Sequence, residues 1–231
     1  MYHVIGRPFP GAPFPGLYVA PAVFAAQMQT LAVAGYHGVT LNQVRGAWRG
    51  DGTLPPRPIV LTFDNGYRSQ YAHALPVLRD LGWVADENLQ LVGLPPRQGG
   101  LSERQVRALV AAGWELDTQG FSHADLVRLS PRQLRYQVSV ARRVIERRYH
   151  VPVNWFCYPS GDYNPTVVAA VKAAGYVGST TVAPGWARPS DNPYELPRIR
   201  VLRDTSPRAL LALVAASRRA PRPPVAYPPG A

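Results

Sequence analysis

Two kinds of apolar spacing alternate along the chain. From Pro21 to Ala34, Phe24, Met28 and Leu31 recur at helical spacing, and Gly35 follows where a left-handed cap is favoured, which predicts a helix. A short apolar step after Tyr36 reaches Thr40, which forms a capping-box pattern with Gln43 for a second helix. Pro55 and Pro56 then precede the run Pro58-Ile59-Val60-Leu61-Thr62-Phe63, read as a strand that empties into Asp64-Asn65-Gly66. Such a triplet is also a common chain-reversing turn, so the strand alone does not assign it a role.

One phrase recurs: an apolar helical pattern, a glycine, an aromatic residue and a short extended stretch. It occurs at Gly35-Tyr36, Gly82-Trp83, Gly113-Trp114 and Gly175-Tyr176. A glycine that ends a helix before an aromatic that starts a strand marks αβ alternation and a largely parallel sheet. The units are unequal in length, so the chain is a barrel or a doubly wound sheet, not a solenoid.

A strand at Trp114 to Asp117 delivers Gln119 and His123 into the following loop. Ser130, with Pro131 behind it, opens a long helix with Leu134, Val138, Ala141 and Ile145 as its buried stripe. An aromatic strand after Val151 runs into Tyr158-Pro159-Ser160-Gly161-Asp162, and further helices follow at Pro165 to Ala174 and Ser206 to Ser217. Asp86, Glu87 and Asn88 interrupt an otherwise apolar stretch from Val84 to Leu91. The Pro-rich tail over 218–231 is expected to be extended or disordered.

With 231 residues, 46% of them hydrophobic and 17% charged, the chain is expected to be one globular α/β domain over 1–217. No apolar run approaches the roughly 20 residues that span a bilayer. Met1 is not followed by a basic-then-apolar leader, and a start so close to a strand leaves room for a trimmed upstream segment. The net charge of +11 is almost all arginine, with Lys172 the lone lysine. The densest basic run, Arg142, Arg143, Arg147 and Arg148, lies off the buried stripe of its helix and reads as a solvated face, so no specific nucleic-acid partner is expected. Cys157 is single, so no intrachain disulfide exists, and its apolar setting predicts a buried thiol.

Taken in order, Thr62-Phe63-Asp64-Asn65-Gly66-Tyr67, Ser122-His123-Ala124-Asp125-Leu126 with Leu129-Ser130, Tyr158-Pro159-Ser160-Gly161 and Leu196-Pro197-Arg198-Ile199 resemble the motifs of the polysaccharide deacetylases, the NodB-homology domain of carbohydrate esterase family 4. The resemblance covers about residues 1 to 217. It implies an α/β fold, a distorted (β/α)7 barrel, that removes acetyl groups from N-acetylated or O-acetylated glycans with a divalent metal, often zinc. It also implies an extracytoplasmic or cell-envelope setting.

In that family the metal polarises the acetyl carbonyl while a carboxylate takes the proton of the attacking water. Carried over, Asp64 takes the general-base position and His123 one histidine-ligand position. Asn65 stands where the family has an aspartate ligand, and Gln119 where it has the other histidine. Both are poor zinc ligands, so the resemblance implies a weakened metal site, or a catalytically inactive member that binds glycan or a protein through the former groove. Tyr158, Pro159, Ser160, Gly161, Asp162, Arg198 and His3 are the candidates for the sugar groove. The segment Ser206 to Ser217 has no histidine for the family's usual general acid.

Overall fold

The computed structural model describes residues 1–94 and 97–218. The tail assigned to 218–231 lies, beyond its first residue, outside them. The elements in chain order are β1 (Val4–Ile5), β2 (Tyr18–Val19), α1 (Pro21–Val33), β3 (His37–Val39), α2 (Leu41–Arg49), β4 (Pro58–Val60), β5 (Thr62–Asn65), α3 (Leu75–Asp80), β6 (Asp86–Leu89), α4 (Glu103–Ala111), β7 (Glu115–Thr118), α5 (Pro131–Arg135), α6 (Ala141–Tyr149), β8 (Trp155–Cys157), α7 (Pro165–Ala173), β9 (Gly178–Thr180) and α8 (Pro207–Ser217). Five strands follow the order β5-β6-β7-β8-β9, the order of the chain itself, as right-handed αβ alternation produces. Two short parallel pairs, β1 with β2 and β3 with β4, accompany this sheet, and a parallel bridge between Tyr2 and Phe63 links the segment before β1 to β5.

The described residues divide into two compact units: those within Met1–Glu87, Leu94–Glu115 and Arg200–Ala216 form the first, and those within Asn88–Gly93, Leu116–Ile199 and 217–218 the second. The core of the first unit is aromatic. Phe63 stacks on Trp114 at 4.9 Å between ring centroids and meets Tyr2 and Phe24 at 5.7 and 5.9 Å. The buried Tyr2 hydroxyl donates to Gln27 Oε1, and Gln27 in turn donates to the Thr205 carbonyl, so the phenol is satisfied, whereas the buried Trp114 Nε1 makes no hydrogen bond. The predicted capping box at Thr40 and Gln43 is present and starts α2.

In the second unit, β7, β8 and β9 pair in parallel. Ser130 caps α5 with Pro131 at its first position, and a π-helical turn at Tyr136–Val140 joins α5 to α6. Leu134, Val138, Ala141 and Ile145 are all buried, as their spacing predicted. The Arg142 guanidinium does not remain a free member of the solvated face. It donates to the carbonyls of Val153 and Ala174 and stacks over Tyr176, tying α6 to two neighbouring loops.

One expectation needs correction. Asp86, Glu87 and Asn88 do not interrupt a strand; they are the strand β6, and all three are buried. The backbone of β6 is satisfied by the ladder, as in Asp86 N–H donating to the Leu61 carbonyl at 2.9 Å, so its polar side chains need only side-chain partners. Asp86 has one: its Oδ1 accepts from the Leu41 N–H at 3.0 Å, while Glu115 Oε2 accepts from the Asn42 N–H at 3.0 Å. Two carboxylates thereby satisfy the first free amides of α2 and sit at the positive end of its dipole.

Candidate active site

β5, in the first unit, carries the first of the motifs. Asp64 and Asn65 are its last residues, both buried. The Asp64 backbone is held at both polar atoms: its N–H donates to the Tyr2 carbonyl at 2.9 Å, and its carbonyl accepts from Gln70 Nε2 at 2.8 Å. The same Gln70 amide donates to the His3 carbonyl at 2.9 Å, so one buried glutamine fixes two predicted site residues. His3 Nε2 lies 3.9 Å from Asp64 Oδ2, and the imidazole is largely buried. Gln70 went unpredicted; its one sequence signal is an amide in an otherwise apolar helical start.

Asn65 and Gly66 both have positive φ, 79° and 88°. Glycine pays nothing there, and among other residues Asn, Asp and His are the most enriched, so the sharp exit from β5 explains the residue types found at both positions. Tyr67 follows, with its phenol pushed up to about 12 by burial, then by Tyr18 and Asp64.

Glu87 is the residue that sequence reasoning missed. It is completely buried in the first unit, and neither carboxyl oxygen makes a well-formed hydrogen bond. Burial and then the Asp64 carboxylate push its carboxyl well above the usual range, while the Gly66 amide, too poorly aligned for a full bond, pulls the other way. Burial thus favours the protonated form of Glu87 in the fold above the pH at which a free glutamate ionises.

The sign of the consequence is fixed. Below about pH 4.5, the ordinary glutamate value, Glu87 is protonated in folded and unfolded chains alike and costs nothing. Above it, the unfolded chain gains by ionising and the folded chain does not, so stability falls by about 1.4 kcal/mol per pH unit until the folded carboxyl itself titrates. Glu87→Gln removes that dependence. Urea unfolding of both proteins should show the variant gaining on the parent between pH 4.5 and 8. A gap that does not change with pH would refute the assignment.

The remaining motif residues, Gln119 and His123, belong to the second unit. Gln119 follows β7, with its N–H on the Leu89 carbonyl at 2.9 Å. Its side chain is buried, and Oε1 has no hydrogen-bond partner. His123 is half-buried and has a left-handed backbone with φ of 54°, the kind of strain that marks functional loops. Its loop is pinned by Gln137, whose Oε1 accepts from the Phe121 and Ser122 amides at 3.0 Å and whose Nε2 donates to Ser122 Oγ at 2.8 Å. Asp125 braces the same loop through Arg128 at 3.0 Å.

Of the proposed groove residues, Ser160 is exposed and Asp162 half-buried, whereas Pro159 and Gly161 are buried. Burial and the Asp125 carboxylate raise the Asp162 carboxyl above its ordinary value. Tyr158 is fully buried, stacked on Tyr163 at 4.6 Å, with its hydroxyl donating to the Tyr194 carbonyl at 3.0 Å. Arg198 is buried too, donating to the Thr181 carbonyl at 2.8 Å and to Cys157 Sγ at 3.1 Å. These last two build the wall behind the loop.

Asn65, Gln119 and His123 together offer two amide oxygens and one imidazole. Zinc prefers imidazole nitrogen, thiolate and carboxylate oxygen, and the charge that attracts a dication is missing from two of the three positions. The orphaned Gln119 oxygen is a neutral donor and does not replace it. This donor set does not fit a tightly held zinc. Among the described residues of the first unit, Asp86 and Glu115 bring carboxylate oxygens within 4.8 Å of each other, but the amides of α2 already engage both side chains.

The fold and the order of these motifs are those of the NodB-homology class. The profile of the polysaccharide deacetylase family matches residues 51–179, more than half of the chain, and the chain belongs to that family. Its fold class, mixed α/β with a parallel sheet, is the one the resemblance implied. YxkH of Bacillus subtilis (strain 168), named for this family, is 27% identical over 186 residues, which cover 80% of this chain and 66% of YxkH. The poly-β-1,6-N-acetyl-D-glucosamine N-deacetylase of Escherichia coli (strain K12) is 39% identical over 67 residues, 29% of this chain and 10% of that protein. The chain thus spans less than two thirds of either relative. Among solved structures, the Streptococcus pyogenes deacetylase PplD in complex with acetate superposes with a TM-score of 0.83 at 25% identity, over 93% of this chain and 96% of PplD. Members of the family generally depend on a divalent metal.

Proposed function

We propose that this protein hydrolyses acetyl groups from N-acetylated or O-acetylated glycans, with Asp64 as general base and a weakened metal site at Asn65, Gln119 and His123. The observation that carries the reading is the setting of Asp64: a buried carboxylate at the end of the family's Thr-Phe-Asp, clamped by Tyr2 and Gln70 and faced by His3. A carboxylate held so rigidly accepts the proton of a water molecule as the water oxygen bonds to the acetyl carbon. The acyl C–N or C–O bond then breaks, acetate leaves, and the sugar amine or hydroxyl takes a proton. The groove is assigned to Ser160 and Asp162 at the surface, with Tyr158, Pro159, Gly161 and Arg198 supporting them and His3 beside Asp64.

The relatives support this reading by name: one removes N-acetyl groups from a glucosamine polymer, and another was solved with acetate, the product of such a reaction. The setting is proposed to be extracytoplasmic, where acetylated wall and matrix glycans lie. Among the described residues no helix is long and apolar enough to cross a membrane. The test is acetate release from acetylated chito-oligosaccharide, with and without added zinc.

A second reading, a catalytically silent member that binds glycan through the same groove, is favoured by the amides at Asn65 and Gln119. Glycan binding without acetate release at saturating zinc would select it.

A further inference from the structure

The π-helical turn that begins at Tyr136 faces a surface concavity of about 240 Å³ lined by Leu129, Arg132, Gln133, Tyr136 and Gln137. It is smaller than the roughly 300 Å³ at which drug-sized ligand sites begin, so it is suited to a single ring. Tyr136 is 48% exposed, yet its ring is not loose: it leans on Phe121 at 4.8 Å between centroids and 52° between planes. An exposed aromatic face held in place, with a guanidinium and an amide beside it, is an expensive arrangement for a helix surface that needs only to be wet. π-Helical turns are rare and cluster at functional sites.

The same wall is tied to the candidate site. Phe121, which supports the Tyr136 ring, donates its amide to Gln137, and Gln137 also holds Ser122, the residue before His123. Occupation of the concavity therefore bears directly on the segment that positions His123. The negative face of an aromatic ring attracts the polarised C–H bonds on the flat side of a pyranose, and the flanking Arg132 and Gln133 can donate to its hydroxyls.

Building on the glycan reading, we propose that this concavity is a subsite for one sugar ring of a glycan chain, with the ring face on Tyr136 and its hydroxyls toward Arg132 and Gln133. The other lining residues shape it: Leu129 closes the apolar side, and Gln137 is committed to the His123 loop.

Calorimetric titration of the full chain with chitohexaose and chitobiose tests this, with wild type, Tyr136→Ala and Tyr136→Phe compared. Chitohexaose should bind wild type and Tyr136→Phe within about twofold of each other, because the ring face and not the hydroxyl makes the contact. Tyr136→Ala should bind about tenfold more weakly. The loss should be smaller for chitobiose, which cannot reach the subsite and the groove together. Equal chitohexaose affinity for wild type and Tyr136→Ala overturns the subsite even if the protein releases acetate. Absence of any wild-type binding overturns it too. A tenfold loss in a protein that releases no acetate upholds the subsite and defeats the deacetylase reading instead.

Discussion

Asp64→Asn abolishes acetate release, lowering the rate by at least about 100-fold, the low end of what a positioned general base contributes. Asparagine is the informative replacement because Asp64 is buried between Tyr2, His3 and Gln70. Two of the hydrogen bonds that hold it use its backbone N–H and carbonyl, which any residue supplies, so Asn keeps the shape while removing the carboxylate. Alanine would leave a cavity where the buried carboxylate stood and mix a folding defect into the rate. The prediction therefore has two parts: turnover of acetylated chito-oligosaccharide collapses, and the unfolding midpoint stays close to wild type.

A second readout comes from Glu87. The Asp64 charge is one of the causes that hold the Glu87 carboxyl high, and burial is the larger one. Neutralising Asp64 should lower the Glu87 titration somewhat without restoring its ordinary value. If Asp64→Asn released acetate at the wild-type rate, the general-base assignment would be wrong. If wild type itself released none at saturating zinc, the silent reading would hold.

The elements that sequence displayed well were those whose patterns are local. Glycine after a helical stripe, Thr40 with Gln43 and Ser130 with Pro131 are signals complete within a few residues, and the structure reproduces them. Leu134, Val138, Ala141 and Ile145 are buried because a period of 3.6 leaves no other face for them. Cys157 was expected to be buried and is, but its Arg198 partner, 41 residues away, had no local trace.

The failure at β6 has a definite cause. A strand buried on both faces is expected to read as apolar, and Asp86-Glu87-Asn88 does not. The partners that make a polar residue tolerable there lie far along the chain: Leu41 for Asp86 is 45 residues away. Glu87 has no such partner, and burial instead raises its carboxyl so that the fold favours the protonated form. The same limit applies to the site. The motif frame placed Asp64 and His123 in loops after strands, but neither Gln70 nor Gln137, which hold those loops, belongs to any motif. They are recognised only as hydrogen bonds.

Those supports make the strongest test of the ligand positions a gain and not a loss. Asn65→Asp with Gln119→His should create a tight zinc site, binding about 10²–10⁴-fold more strongly than the parent if each restored ligand matters at least as much as a typical supporting residue around a metal. The backbone accepts both changes. Asn65 has φ of 79°, a conformation where aspartate is enriched much as asparagine is, so the exchange adds a charge and no strain.

Gln119 is buried and its Oε1 accepts no hydrogen bond, so replacing it costs the fold none of that atom's contacts. Histidine is of similar bulk and brings a nitrogen donor in place of an amide oxygen. The single variants should each gain less than the square root of the combined effect, because a dication is held by charge and geometry together and neither alone completes the set. Elemental analysis after purification and a competitive zinc titration read this directly, independent of turnover. A double variant that folds, keeps the wild-type unfolding midpoint and still holds no zinc would show that positions 65, 119 and 123 are not a ligand set. The weakened-metal reading, which depends on that set, would then fall.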